Sequence, residues 1–547
     1  MVIFVEVSKN DKIELTIDAL TSEGSGVGRY NGLAVFVRGT VPRDRIIAHI
    51  IKRSKNYAVG IIDEIIEPSS ERIESDCPHS KKCGGCSFRN MTYDEELKYK
   101  LSRVNDAVER IAHLDIRADE IIGADELDRY RNKAQYPVSI CDGELFAGFY
   151  AYKSHRIIPC ADCRLQSEEF QAGINAFSKW VESENISSYD ENTGMGLLRH
   201  IYFRKGFATN ELMACAVING DRIPNEKLLI DLLKESLPNL KSVVLNINKE
   251  KTNVILGRES KIIFGDEVIH DVLCEKKFVI SPNSFYQVNH SQCEKLYEKA
   301  KEFADLKGDE VLLDLYCGVG TIGLTMADSV KELVGIEIIP QAIENAKINA
   351  KLNNINNARF ICADAPKGAE ILKADGIKPD VIILDPPRKG CDSSLFDTIE
   401  ELSPNKIVYV SCDSATLARD MQILDQKGYK AKKLTAVDMF PRTPHVETVV
   451  QLVRKKPDTY IDITVDMDEL DLTSSEAKAT YEEIKDYVFE GFGLKVSSLN
   501  IAQVKTKCGI IERENYNKPK SENVKQPQCT KDKEEAIMSA LRHFKMI

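Results

Sequence analysis

From residue 291 onward, short stretches that are apolar at almost every position alternate with segments of helical periodicity: "EVLLDLYC", "ELVGIEII", "ARFICAD", "DVIILDPP" and "KIVYVSCD". A strand without a polar face must be covered on both sides. Parallel sheets flanked by helices meet that demand, so this half of the chain is predicted to be α/β. Asp314, Glu337, Asp364, Asp385 and Cys412 stand at the ends of these strands. Ligands of open α/β sheets bind outside the carboxyl ends of the strands, so one cleft is predicted to gather all five.

The first of these strands runs into Gly318, Gly320 and Gly323, spaced as G-x-G-x-x-G. Glycines at such a turn let backbone approach a ligand closely, and the acidic end of the next strand, Glu337, can accept hydrogen bonds from a ribose. A nucleoside cofactor follows, and NAD is the first candidate. Asp314 ahead of the glycines, Asp364 and the "LDPPRKG" of 384–390 point elsewhere. That succession resembles the class I (Rossmann-like) S-adenosylmethionine-dependent methyltransferases, in which an acid precedes the glycine loop and Asp-Pro-Pro closes the site.

Cys412 in "YVSCDSATLARD" lies beside this cleft, with a helix predicted to begin just beyond it. A helix N-terminus is expected to lower the thiol's pKa. Carbon 5 of a uracil is too weak a nucleophile to take a methyl unaided. A thiolate added to carbon 6 makes the ring an enolate whose carbon 5 can accept it, and a base must then remove the carbon-5 proton. "DMFPRTPHVETVVQLV" offers His445 and Glu447. A carboxylate serves as base if desolvation raises its pKa towards neutrality, so Glu447 is preferred and His445 supports it.

"LDLYCGVGTIGL", "LDPPRKG", "YVSCDSATLARD" and "PHVETVVQL", in that order, closely resemble the RNA uracil-5-methyltransferase family, as do "SPNSFYQVN" at 281–289 and "RYRNKAQYP" at 129–137. The resemblance implies that Gln287, Tyr316, Glu337 and Asp385 contact S-adenosylmethionine, that Cys412 is the nucleophile and that Glu447 accepts the proton. Asp314, Gly318, Gly320 and Asp364 complete the predicted cofactor site. Upstream, residues 12–66 read as short alternating strands of a small β-barrel, with Arg43, Arg45, Lys52, Arg53 and Lys55 clustered on a turn and a strand. This segment looks like the TRAM domain, an OB-like RNA-binding module carried by many members.

"CPHSKKCGGC" spaces Cys77, Cys83 and Cys86 as C-x5-C-x2-C, and "HRIIPCADCRLQ" adds Cys160 and Cys163. Four thiolates suit structural zinc or an iron–sulfur cluster, and spacing alone does not separate them. The spacing is not the C-x3-C-x2-C of radical S-adenosylmethionine enzymes. Resemblance to the family branch acting on ribosomal RNA implies a [4Fe–4S] cluster on Cys77, Cys83, Cys86 and Cys163, with Cys160 surplus. It also shifts the substrate towards 23S ribosomal RNA, with transfer RNA as the alternative. A non-catalytic RNA-binding protein on the same fold is the competing class, and intact Cys412 and Glu447 argue against it.

A chain of 547 residues exceeds one core. The expected divisions are a barrel at 1–66, a central α+β domain with the cysteine loop at 67–290, the methyltransferase domain at 291–456 and an extension at 457–547. An amphipathic helix at about 93–115, with Leu97, Leu101, Val104, Val108 and Ile111 on one face, is placed in the central domain or against the methyltransferase domain. The net charge of −11 gives no general prior for a polyanionic partner, although the extension divides into an acidic half and a basic half. No apolar stretch approaches the ~20 residues of a membrane span, and no secretory signal opens the chain. A cytoplasmic monomer is expected, and its reducing compartment disfavours disulfides among the 15 cysteines.

Overall fold

The computed structural model describes residues 7–455, 480–508, 529–544 and 546–547. The chain divides into two compact units, Met1–Asp458 and Thr459–Ile547. In the second, the helices Tyr481–Phe492, Ser498–Lys507 and Lys531–His543 enclose a small core of Ile484, Val488, Ile501, Val504, Ile537 and Leu541. The acidic stretch up to 479 and most of the basic "QVKTKCGIIERENYNKPKSENVKQPQC" lie outside the described residues.

The first unit opens with six strands between Lys12 and Glu67. Lys12–Thr16 pairs with Arg45–Arg53, while Ala19–Leu20, close behind it in the chain, pairs with Gly26–Tyr30 at the other edge. One stretch of chain thus bonds to both edges and curls the sheet around Leu15, Ile17, Val35, Ile46, Ala48 and Ile50. A seven-stranded mixed sheet follows, from Lys133–Cys141 to Glu259–Gly265. Phe170, Phe177 and Trp180 of one helix and Leu229 and Leu233 of another cover one face. The other face, through Tyr202, Met213, Cys215 and Val244, shares a core with the catalytic half.

That half is built on eight strands. In chain order they are β1 (Ile121–Ile122), β2 (Val311–Leu315), β3 (Glu332–Glu337), β4 (Ala358–Cys362), β5 (Val381–Leu384), β6 (Lys406–Ser411), β7 (Tyr429–Val437) and β8 (Glu447–Arg454). They lie in the order β4-β3-β2-β5-β6-β8-β7-β1. The pairs from β4 to β6 are parallel and β8 is antiparallel to both its neighbours. Successive side chains alternate between faces, which explains the unbroken apolar runs. Leu313, Ile336, Ile382 and Ile407 enter one core, and Leu312, Leu333, Ile383 and Val408 enter the other.

Helix α1 (Tyr93–Ala107) packs on this sheet and continues as a single π-type turn, Val108–Ala112. The wider turn shifts the buried face by one residue. Ala112 is therefore inside and Ile111 exposed, contrary to the 3.6-residue periodicity. The same helix buries Glu96 and Lys100. The Lys100 ammonium donates to Glu96 at 2.7 Å, to Asp438 at 2.6 Å and to the Phe440 carbonyl at 3.2 Å.

Candidate active site

Five further helices follow the sheet: α2 (His290–Ala304), α3 (Thr321–Met326), α4 (Pro340–Leu352), α5 (Ala365–Ala374) and α6 (Ser393–Leu402), with α7 (Ser414–Gln426) closing the series. At the carboxyl ends of the strands a cavity of about 1000 Å³ opens. Gln287, Asp314, Tyr316, Gly318, Glu337, Asp364, Asp385, Cys412, His445 and Glu447 all line it. Gly320 does not. It sits at the start of α3 with φ +84°, where a Cβ would meet the Leu324 side chain at 2.9 Å, so its part is to shape the loop.

The loop after β2 turns through three left-handed residues, Tyr316, Gly318 and Gly320. Gly318 faces open space, and its amide donates to Glu337 Oε2 at 3.2 Å. Glu337 Oε1 accepts from the Ile339 amide at 2.9 Å, so two backbone donors orient this carboxylate. Asp314 Oδ2 accepts from the Gly323 amide at 2.9 Å, while Oδ1 is buried without a partner. Burial, and then the charges of Asp385 and Glu337, push the Asp314 carboxyl up to about 8. An orphaned buried acceptor in a cavity wall suits a polar ligand that donates to it. Asp364 is engaged differently from its neighbours, because its side chain caps α5 by accepting from the Lys367 amide at 2.9 Å.

Cys412 and Glu447 reach the cavity from adjacent antiparallel strands. Ser411 on β6 pairs with Thr448 on β8, which sets Cys412 across from Glu447 at the end of the ladder. Thr448 Oγ1 donates to the Ser411 carbonyl at 3.1 Å and secures that register. Asp413 is the N-cap of α7 and accepts from the Ala415 and Thr416 amides, while Ser411 Oγ donates to the Asp413 carbonyl at 3.1 Å. Both neighbours of the thiol hold its turn. Arg103 on α1 ties the two loops, donating to the Pro444 carbonyl at 2.7 Å and lying 3.7 Å from Asp413.

The thiol is not acidified as the sequence suggested. Burial, and then the charges of Glu447 and Asp385, push Cys412 up to about 11, against the opposing pull of Arg388. Burial, joined by the two neighbouring carboxylates, raises the thiol although a helix begins beside it. Glu447 behaves as anticipated: burial first and the charge of Asp385 second raise it to about 8. His445 is held down to about 4 by burial and by the surrounding cations, so it is a neutral imidazole at neutral pH.

A family model described as tRNA (uracil-5-)-methyltransferase matches residues 92–455. The chain belongs to that family. Its relatives include an uncharacterised RNA methyltransferase of Halalkalibacterium halodurans, 44% identical over 450 residues, which are 82% of this chain and 98% of that one. A second, from Clostridium tetani, is 44% identical over 446 residues, 82% of this chain and 97% of the relative. Among solved structures, the Pyrococcus abyssi tRNA (uracil-54, C5)-methyltransferase in complex with S-adenosyl-L-homocysteine superposes with a TM-score of 0.65. It is 27% identical and covers 81% of this chain and 100% of that one. This chain is an RNA (uracil-5-)-methyltransferase on a class I methyltransferase fold, as its motifs implied.

The methyltransferase's cysteine loop lies apart from this cavity. Among the described residues no three His, Cys, Asp or Glu side chains stand close enough together to hold a metal ion. The thiols nevertheless feel one another: Cys83 the charges of Cys163 and Cys77, Cys86 those of Cys163 and Cys83. Burial pushes Cys86 up to about 12, and a hydrogen bond from Cys160 brings Cys163 down to about 7. The loop also touches the catalytic segment, since the Ser87 and Phe88 amides donate to the Arg442 carbonyl at 3.0 and 3.2 Å.

Among the cavity residues to which the motif reading gave no role are three cations, Arg131, Lys133 and Arg388. The first two carry a legible signal. Arg131, Lys133 and Gln135 recur at every second position through the start of a strand, the spacing that places side chains on one face.

Proposed function

We propose that the chain methylates carbon 5 of a uridine in RNA with S-adenosylmethionine as donor, through a covalent bond from Cys412 to carbon 6. Asp314, Tyr316, Gly318, Glu337, Asp385 and Gln287 would hold the donor, which supplies the methyl group when bound; Asp314 Oδ1 is the acceptor most in need of a partner. The Cys412 thiol gives up its proton to solvent, and the sulfur bonds to carbon 6 as the carbon 5–carbon 6 π pair moves out to the carbonyl oxygen as an enolate. Carbon 5 then bonds to the methyl group, and the donor would leave as S-adenosylhomocysteine. Glu447 removes the carbon-5 proton, the double bond re-forms, and the C6–S bond breaks to release the thiolate. The observation that supports this reading is that Cys412, directly after β6, and Glu447, the first residue of β8, line one cavity one step beyond the Ser411–Thr448 pair.

The preferred substrate is 23S ribosomal RNA, a reading that rests on the resemblance of the C-x5-C-x2-C spacing to the ribosomal branch of the family; transfer RNA is the second reading, favoured by the Pyrococcus abyssi structure. Cys77, Cys83, Cys86 and Cys163 are the ligands proposed for a [4Fe–4S] cluster, with Cys160 surplus. The curled N-terminal sheet is proposed as a TRAM-like RNA-binding module. Arg43 and Arg45 are paired with Glu95, Glu14 and Glu67, so Lys52, Arg53 and Lys55 are left as its RNA-facing charges. The protein is read as a cytoplasmic monomer. Among the described residues no helix is long and apolar enough to cross a membrane.

Incubation with labelled S-adenosylmethionine and unmodified ribosomal or transfer RNA, followed by mapping of the methylated nucleotide, tests the reaction and separates the two substrates. Cys412→Ala should be inactive. Glu447→Gln should accumulate a protein–RNA adduct that survives denaturing electrophoresis. Methylation at a ring nitrogen or a ribose, or activity surviving in Cys412→Ala, would sink the proposal. Iron and sulfide analysis of anaerobically prepared protein tests the cluster, and stoichiometric zinc without iron would overturn it.

A further inference from the structure

The cavity's wall on the central sheet carries positive charge that the reaction above does not use. Arg131 and Lys133 both line it, Lys133 as the first residue of its strand and Arg131 two residues before it. Arg204 lies across the ladder from Lys133. Arg204 is buried and donates through Nη1 to the Ser281 and Ser284 carbonyls at 2.9 and 2.7 Å, while its Nε and Nη2 are buried without partners. Among the described residues none of these three cations is paired with a carboxylate. Burial pushes the Lys133 ammonium down to about 8, helped by the like charges of Arg204 and Arg131. Two cations on the cavity wall without a carboxylate partner, with Arg204 buried behind them, are costly unless an anion joins them.

We propose that Arg131 and Lys133, backed by Arg204, form a phosphate-binding rim that grips the backbone of the RNA strand carrying the target uridine, beside the cavity that receives the base. This rests on the reading of RNA as substrate and adds which charges hold it. A nucleotide turned out of its stack leaves its own phosphates displaced, and cations fixed at the mouth would hold them there. Lysine and arginine are the side chains suited to phosphate, the arginine through a two-pronged donor. The donor's carboxylate is the competing anion. Of the donor-side residues named above, Asp314, Tyr316, Gly318 and Glu337 lie on β2, β3 and the loop after β2, and Asp385 follows β5. Gln287 neighbours the rim, its carbonyl accepting from Asn132 Nδ2 at 2.9 Å, so donor binding is measured beside RNA binding.

The test is the salt dependence of RNA binding, measured on unmodified target RNA without donor, alongside calorimetric binding of S-adenosylhomocysteine. For Lys133→Gln and for Arg131→Gln, the slope of log affinity against log potassium chloride should fall by about 0.7 for each phosphate of single-stranded RNA that the variant no longer neutralises. Affinity for S-adenosylhomocysteine should stay within about twofold, which also reports that the variants are folded. Lys133→Arg should restore the slope. An unchanged slope in both glutamine variants overturns the proposal. So does an unchanged slope with S-adenosylhomocysteine binding abolished, which would assign the cations to the donor's carboxylate. If one variant does not fold, the other gives the same readout on the same rim. These measurements need no methyl transfer, so a failure of the methylation reading would be seen separately, in wild-type product mapping.

Discussion

At the scale of single residues the site is dominated by burial of acids. Glu447 and Asp385 are raised to about 8 and 7 by desolvation, and their charges in turn hold the Cys412 thiol up. Replacing Glu447 by glutamine removes the larger of the two charges acting on the thiol. The rate at which iodoacetamide alkylates Cys412, followed on its peptide by mass spectrometry, should therefore titrate at lower pH in Glu447→Gln than the value of about 11 to which burial and the neighbouring carboxylates raise it. An unchanged profile would show that the two groups do not interact. Cys412 and Glu447 were legible as candidates from their residue types in a motif. Their mutual electrostatics were not, because sequence order does not show that positions 35 apart become partners across a ladder.

Among the elements, the glycine loop and α1 carry the heaviest constraints. Gly320→Ala places a Cβ against Leu324 in a left-handed backbone, with an expected loss of about 1–2 kcal/mol. Weaker binding of S-adenosylhomocysteine by calorimetry and a lower thermal midpoint would register it. Lys100 on α1 joins Glu96 and Asp438 at the root of the segment leading to His445 and Glu447. Lys100→Met would leave two carboxylates buried without their cation, at an expected cost of about 3–5 kcal/mol. Denaturant unfolding should show it, and a midpoint equal to wild type would refute the assignment. The helix itself was readable from its apolar repeat, but its buried ion pair ran against that repeat. The π-type turn then exchanged Ile111 for Ala112, a shift that arises from packing on the sheet and leaves no mark in the periodicity.

Over the whole molecule the raised carboxyls predict how stability depends on pH. Asp314, Asp385 and Glu447 keep their protons to about 8, 7 and 8 in the fold, well above the unfolded carboxyl range. Their contribution is fully present below about pH 4 and is lost as pH rises through 7 to 8. The pH at which the thermal midpoint begins its alkaline decline should move upward in Asp385→Asn with Glu447→Gln, and superimposable profiles would contradict that sign. The order of elements, the parallel sheet and the donor loop were determined by sequence alone, since apolar strands without a polar face admit few arrangements. The sequence likewise singled out Cys412, Glu447 and the acidic strand ends, which line one cavity. Only the tertiary structure decided that Cys412 faces Glu447, that the thiol is raised rather than lowered, and that Arg131 and Lys133 join the same cavity. Each of these depends on distances between segments far apart in the chain, and on water excluded by their packing, neither of which is encoded in local order.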